Sequence, residues 1–465
     1  MDIPGNIANK LENLGIQYSL EKYHDDLLAA RLQRANSRLT QLARVSFLQS
    51  ANEKIQLITS ASSLCRLDMI IEQINQAVTA VTPEFERRLI DSKKLDVFTA
   101  LPQASDYRVL VDSGLFEAEK IYLPCGIKGT YLLVSDSDFK KLVSGHEIIS
   151  ADLPLEKLEL NLEQPESDSE QLHKAIRSYT SRKIAKNLSE TLDIPPLSHT
   201  AQKVISLSAN PNAEADELVA IVEQDPSLTA QVVGWAASPY YSAPGRVRSI
   251  RDAIIRVLGF ELVMSLAMGL AVGKTLQVPK ECPRGASAFW RQSIYCAIAM
   301  EKLNRHLPPE NRVASGLCYI AGLLNNFGYL ILTHVFKSHF IQLCRYQVVN
   351  RHVHPSLIET YLLGICRDQM SGQLMQYWNL PDEISTALRF QQVADYQGEH
   401  HIYANLCFIA QRLLAAKGIG DSPASIIPVQ LYERLGLTPS SIEQVIEELF
   451  SSSVEIDAMT SVFTS

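Results

Sequence analysis

The chain has 465 residues, 46% hydrophobic and 20% charged, with a formal net charge of −8. That length predicts two to four domains of ordinary size, each able to bury its own core. The acidic balance argues against non-specific binding to nucleic acid or anionic membrane. The apolar stretches around Val263–Val272 and Ile320–Leu324 are too short or too interrupted to span a bilayer.

Met1-Asp2-Ile3-Pro4 has neither a basic nor an apolar leader region, so no secretory signal is expected. Eight cysteines are scattered without a C-x-x-C pair, which reads as buried thiols of a reducing, cytoplasmic compartment.

In chain order, Asn6–Leu14 reads as a short amphipathic helix closed by Gly15, followed by extended Ile16–Tyr23. Leu42–Gln49 and Lys54–Ile58 flank polar Ser50–Glu53 and predict a hairpin. Two helices are expected within Leu67–Val81 and Glu84–Leu95. Strands follow at Tyr107–Asp112, Lys120–Pro124 and Thr130–Val134, then a helix through Leu142 capped by Asp136 or Ser137. The mixture is that of an α+β domain over residues 1–145.

Glu147–Glu170 carries eight acidic residues against Lys157 alone, with Pro154 and Pro165, and reads as a linker. Gln171–Glu190 turns basic and reads as a charged surface helix, so residues 146–190 form an acidic linker and connecting helix. From Ile194 onward the periodicity is helical. Asp225-Pro226 restarts a helix, and Ser249-Ile250-Arg251-Asp252 is a capping-box variant whose helix closes at Gly259. The expected architecture is therefore multidomain: an α+β N-terminal domain, then an all-α domain over 191–415 with a helical extension over 416–465.

Two resemblances sharpen this reading. The element order over residues 5–143, with Tyr107-Arg-Val-Leu-Val-Asp112 before Ile121-Tyr-Leu-Pro-Cys-Gly126, resembles the YbaK/ProX-like aminoacyl-tRNA deacylases. That family's substrate-contacting lysine corresponds to Arg44, and its glycine-rich loop is not recognisable around Ala100–Ser105. Arg44 keeps the charge and is a candidate contact for a phosphate or carboxylate, or else a solvated strand arginine. Aminoacyl-tRNA editing is thus the alternative function, with tRNA as partner.

The second half resembles the HDOD domain, a helical relative of the HD phosphohydrolases. It does so through Ile194-Pro-Pro-Leu197, Glu223-Gln-Asp-Pro-Ser-Leu-Thr-Ala230, Ser238-Pro-Tyr-Tyr241 and Ser249–Gly259. An HD hydrolase holds divalent ions with histidines and carboxylates. The resemblance places those positions on Gln292, Asn325, Asn326, Arg367, Gln391, Gln392 and Gln411, none a good ligand. With no carboxylate among them, no metal or other cofactor is expected, and metal-dependent hydrolysis is the weakest of three readings.

His352/His354 and His400/His401 read as surface pairs. The seven polar positions form either a hydrogen-bonded core network or a pocket for a small polar or anionic ligand anchored by Arg367. The function expected is non-catalytic signal transduction or regulation of bacterial type, through an unknown protein partner or such a ligand. Packing of the two domains across the acidic joint would carry the signal.

Overall fold

A computed structural model describes residues 3–23, 28, 40–102, 107–162, 164–180, 197–208, 210, 212–241, 245–273, 276 and 285–464. The chain divides into two compact units. The first holds residues 1–159, 342–358 and 423–426; the second holds 160–341, 359–422 and 427–465.

Strand β2 (Thr40–Gln49) organises the first unit. With β1 (Tyr18–Lys22), β3 (Lys54–Ser60), β5 (Thr79–Ala80), β6 (Arg108–Asp112), β7 (Lys120–Pro124), β8 (Thr130–Ser135) and β9 (Glu147–Ile149), it gives an eight-stranded mixed sheet; β4 (Ser63–Cys65) and β10 (Asp152–Pro154) form a second, two-stranded one. The order is β1-β8-β7-β2-β3-β6-β9, with β5 on β2 and a separate β10–β4 pair. The predicted hairpin is β2–β3, antiparallel, with Val45 opposite Ile58. β2 also runs parallel to β7, and β3 to β6.

Ala43, Ile58, Val109, Val111, Ile121, Leu123, Leu132 and Phe139 fill one core with Ile7 and Leu11 of the helix Gly5–Asn13. The helix Asp136–Leu142 is capped by Ser135, whose hydroxyl accepts from the Asp138 amide, one residue before the expected cap. The α+β expectation holds.

The linker reading of 146–190 needs correction. β9 pairs with β6, β10 pairs with β4, and the Asp112 carboxylate accepts from the amides of Ala151 and Asp152. Counting acidic residues misled because Asp168 is an internal charge, buried against Arg389, and Asp152 is largely enclosed. A helix spans Asp168–Tyr179; the remainder of the expected connecting helix lies outside the described residues, as does most of the Ile194–Leu197 motif.

The second unit is all-helical where described, as expected. Asp225 caps the helix Pro226–Ala236 by accepting from the Leu228 amide, and Ser249 caps Ile250–Asp252 by accepting from Asp252. Asp252 does not close a box onto Ser249; its carboxylate accepts from the Arg248 amide instead. The stretch Ala253–Leu258 is wound as a π-helix before Gly259, which 3.6-residue periodicity does not reveal.

The helices Ser315–Leu324 and Phe327–Val335 together make a run long and apolar enough to cross a membrane, and 89% of its most apolar window is buried inside the fold. It is a core element. Gly322 permits this, because a Cβ there would overlap the backbone of Ala297 on the helix Gly285–His306. The residues after 415 are also not a mere appendage. Tyr295 Oη donates to Ser453 O, Lys302 pairs with Glu448, and Arg291 pairs with Asp457.

Candidate functional site

The two central asparagines sit between two core helices. Asn326 occupies the cap position of Phe327–Val335, and Asn325 follows Ser315–Leu324. Two residues on, Gly328 faces the carbonyl of Arg367 and the hydroxyl of Ser371 so closely that a Cβ would overlap both. That approach brings the start of the helix Arg367–Tyr377 against the asparagine turn.

Four of the seven predicted positions form one directed hydrogen-bond chain. Gln392 Nε2 donates to Gln411 Oε1 (3.2 Å), Gln411 Nε2 to Gln391 Oε1 (2.5 Å), and Gln391 Nε2 to Asn325 O (3.1 Å) and Asp368 Oδ1 (2.5 Å). The chain ends on a carboxylate that lies outside the seven positions. Asp368, next to Arg367, supplies it, and the sequence signal for it was simply adjacency.

Arg367 is not part of that chain. Its backbone N–H and Nε donate to Glu359 at 2.9 and 2.6 Å, and its Nη1 to Asp421 Oδ2 at 2.9 Å. Glu359 is fully buried and Arg367 is 5% exposed. Burial works against the guanidinium charge, yet Asp421 and Glu359 outweigh it and raise the pKa above the ordinary arginine range. The ring of Tyr329 lies 5.2 Å from the guanidinium carbon. Arg367 is thus engaged by two carboxylates, those of Glu359 and Asp421. Asp421 comes from the segment expected to be an extension, and neighbouring Gly420 packs on the amide of Gln292.

Sequence reasoning missed Arg412, one turn beyond Phe408 on the helix His401–Ala416. Its Nη2 donates to Gln392 Oε1 (3.2 Å) and its Nη1 to Phe408 O (3.2 Å), while the guanidinium stacks on the Phe408 ring. Unlike Arg367 and Arg389, it has only neutral oxygens as hydrogen-bond partners among the described residues, and burial pushes its pKa down to about 9. Among the described residues, Gln292 Oε1, Asn325 Oδ1 and Asn326 Nδ2 are buried without a hydrogen-bond partner.

In the first unit Arg44 is half-buried on β2. Its Nη1 donates to Val349 O (2.9 Å), and burial pushes its pKa down to about 10. His352 is half-buried. Its Nε2 bonds Ser63 O (2.8 Å), and burial together with nearby Arg44 holds the ring well below the usual histidine pKa.

Would these residues hold a divalent ion? Among the described residues no group of three or more His, Cys, Asp or Glu side chains is placed to do so. The seven HD-type positions offer uncharged amides and a guanidinium, which do not fit a dehydrated dication.

Fold and site together define a helical domain with a buried cluster of amides, arginines and carboxylates, joined to an α+β unit. The HDOD domain model matches residues 194–394. A protein of Marinobacter aquaeolei VT8, named for a proposed role in signal transduction, is 34% identical over 100% of both chains, with a TM-score of 0.91. The chain belongs to the HDOD family.

An HDOD domain protein of unknown function from Geobacter sulfurreducens shares the fold, at 22% identity and a TM-score of 0.50, over 63% of this chain and 97% of that one. An uncharacterized Treponema pallidum protein is 23% identical over 220 residues, so the match spans 47% of this chain and 42% of that relative. The N-terminal region aligns with a candidate trans-editing enzyme for prolyl-tRNA synthetase at 12% identity and a TM-score of 0.28, over 32% of this chain and 96% of that one. That likeness carries no argument about activity.

Proposed function

We propose that this is a non-catalytic regulatory protein of signal transduction, in which the side chain of Arg367 takes the place of the cation an HD hydrolase would bind. The observation that supports this reading is the ion cluster of Arg367 with Glu359 and Asp421. A fixed internal cation balances buried carboxylates but supplies no open coordination position, no activated water and no Lewis acidity toward a phosphate. The proposed signalling role of the Marinobacter relative supports the same reading.

The domain then acts by binding, either to a protein partner or to a small polar or anionic ligand. For a ligand, the charge anchor is Arg412 in place of Arg367, because among the described residues no carboxylate is hydrogen-bonded to Arg412. The chain of glutamines would carry the change to Asp368, since each amide in such a chain polarises the next.

The test is titration of Mn²⁺ into the purified full-length protein, followed calorimetrically. No stoichiometric binding is expected. Binding of about one ion per chain at micromolar concentration would sink the reading.

A further inference from the structure

Within the second unit, the helices Arg367–Tyr377 and Asp382–Phe390 and the short turn Pro165–Ser167 line a cavity of about 330 Å³. Gly372 lets the two helices approach there, because a Cβ on it would lie 2.9 Å from the Arg389 Cβ. The arginine stem therefore runs directly over the neighbouring helix backbone.

The buried wall is an ion pair, with side-chain exposure of 6% for Arg389 and 1% for Asp168. Arg389 turns Nε and Nη2 to the Asp168 carboxylate, and Nη2 also donates to Asn161 O at 2.7 Å. Asp168 accepts further from Gln369 (2.8 Å) and Asn161 (2.9 Å). Among the described residues Nη1 of Arg389 has no hydrogen-bond partner, so it is the polar edge this side chain has left to offer the cavity. A guanidinium nitrogen only donates and needs an acceptor.

The other polar walls are uncommitted too. Gln373 and Gln376 on one helix and Thr386 on the other make no side-chain hydrogen bond among the described residues. Each offers both a donor and an acceptor. Phe390, stacked on Tyr396 with 4.0 Å between ring centres, adds an aromatic flank. Charge then selects the ligand. Asp168 offsets Arg389, and exposed Glu166 adds a negative charge at the rim, which leaves no surplus positive charge for an anion. The volume is at the small end for ligand pockets, enough for a nucleobase or a single peptide amide.

We infer that this cavity binds a small uncharged molecule with an amide or lactam edge. Its carbonyl oxygen accepts from Arg389 Nη1, and its remaining polar groups pair with Gln373, Gln376 and Thr386. The site shares no residue with the amides that run from Gln392 to Asp368, and the inference stands whether or not those take a ligand.

Two sources carry such an edge, a nucleobase and a peptide main chain. Isothermal titration of the full chain with uridine, with N-acetylalaninamide and with inorganic phosphate tests the site. Saturable binding of about one uridine or one N-acetylalaninamide per chain is expected, at about millimolar concentration or below, and the compound that binds names the source. Gln373→Leu removes both amide groups at similar size and is expected to weaken that binding at least about fivefold. Should this variant fail to fold, Thr386→Val serves in its place. No binding of either compound overturns the proposal, and so does binding that neither substitution alters. Phosphate binding more tightly than both compounds overturns it as well, because the cavity would then carry a net positive field.

Discussion

Arg367 and Glu359 are joined twice, through the arginine's backbone N–H at 2.9 Å and its Nε at 2.6 Å, with both side chains almost wholly out of solvent. The pair fixes where one helix begins relative to the one before it. Removing Arg367 alone leaves the buried Glu359 charge without compensation, and removing Glu359 leaves Arg367 with Asp421 only, among the described residues. Glu359→Gln or Arg367→Met is therefore expected to lower unfolding stability by about 3 kcal/mol, while the double variant loses less than the sum. Urea denaturation of the three variants gives the coupling; strict additivity would mean the two residues do not act as a pair.

Gly328 has no room for a side chain, since a Cβ would overlap the Arg367 carbonyl. Gly328→Ala should destabilise by about 2 kcal/mol through forced separation of the two helices. Gly145, whose Cβ would meet nothing within 4 Å but whose φ is +83°, is a contrasting site where only backbone strain acts. Thermal melts of both variants compare crowding with strain, and a Gly328→Ala melt unchanged from wild type would contradict the packing described.

Stability should also depend on pH through His352. Burial first, and Arg44 second, depress its folded-state pKa below the unfolded value near 6.5. The unfolded chain then binds the extra proton first, so the stabilisation from keeping this ring neutral is complete above about pH 6.5 and is lost as pH falls below it. Replacing His352 with Gln should flatten the slope of unfolding free energy against pH between about 6.5 and 5. An unaltered slope would assign that dependence to other groups.

An editing activity in the α+β unit would use Arg44 as a substrate contact, and one nitrogen of that guanidinium, Nη1, already donates to the Val349 carbonyl. No deacylation of mischarged tRNAs is expected from the full chain. Turnover that Arg44→Ala abolishes would restore the editing reading.

Element types were legible because periodicity and caps are local: the β2–β3 hairpin, the Asp225 and Ser249 caps and the closing Gly259 all follow from neighbouring residues. The π-wound turn at Ala253–Leu258 was not, since it keeps the composition of an ordinary helix. At the site, the amides were legible through the HDOD resemblance, and their pairing followed from burial. The partners of charge were not. Glu359, Asp421 and Asp168 meet their arginines across 8, 54 and 221 residues, and no local pattern in the sequence marks them. Asp168 even looked like part of a solvated acidic run, because composition records charge but not what faces it.

If Arg367 stands where an HD hydrolase holds its metal, the protein carries no catalytic ion. Elemental analysis of the purified protein for iron, manganese and magnesium, combined with a phosphomonoesterase and phosphodiesterase assay in the presence of each ion, tests it most directly. The account predicts well below one ion per chain and no turnover above buffer. About one ion per chain, with hydrolysis that a chelator removes and the metal restores, would contradict it.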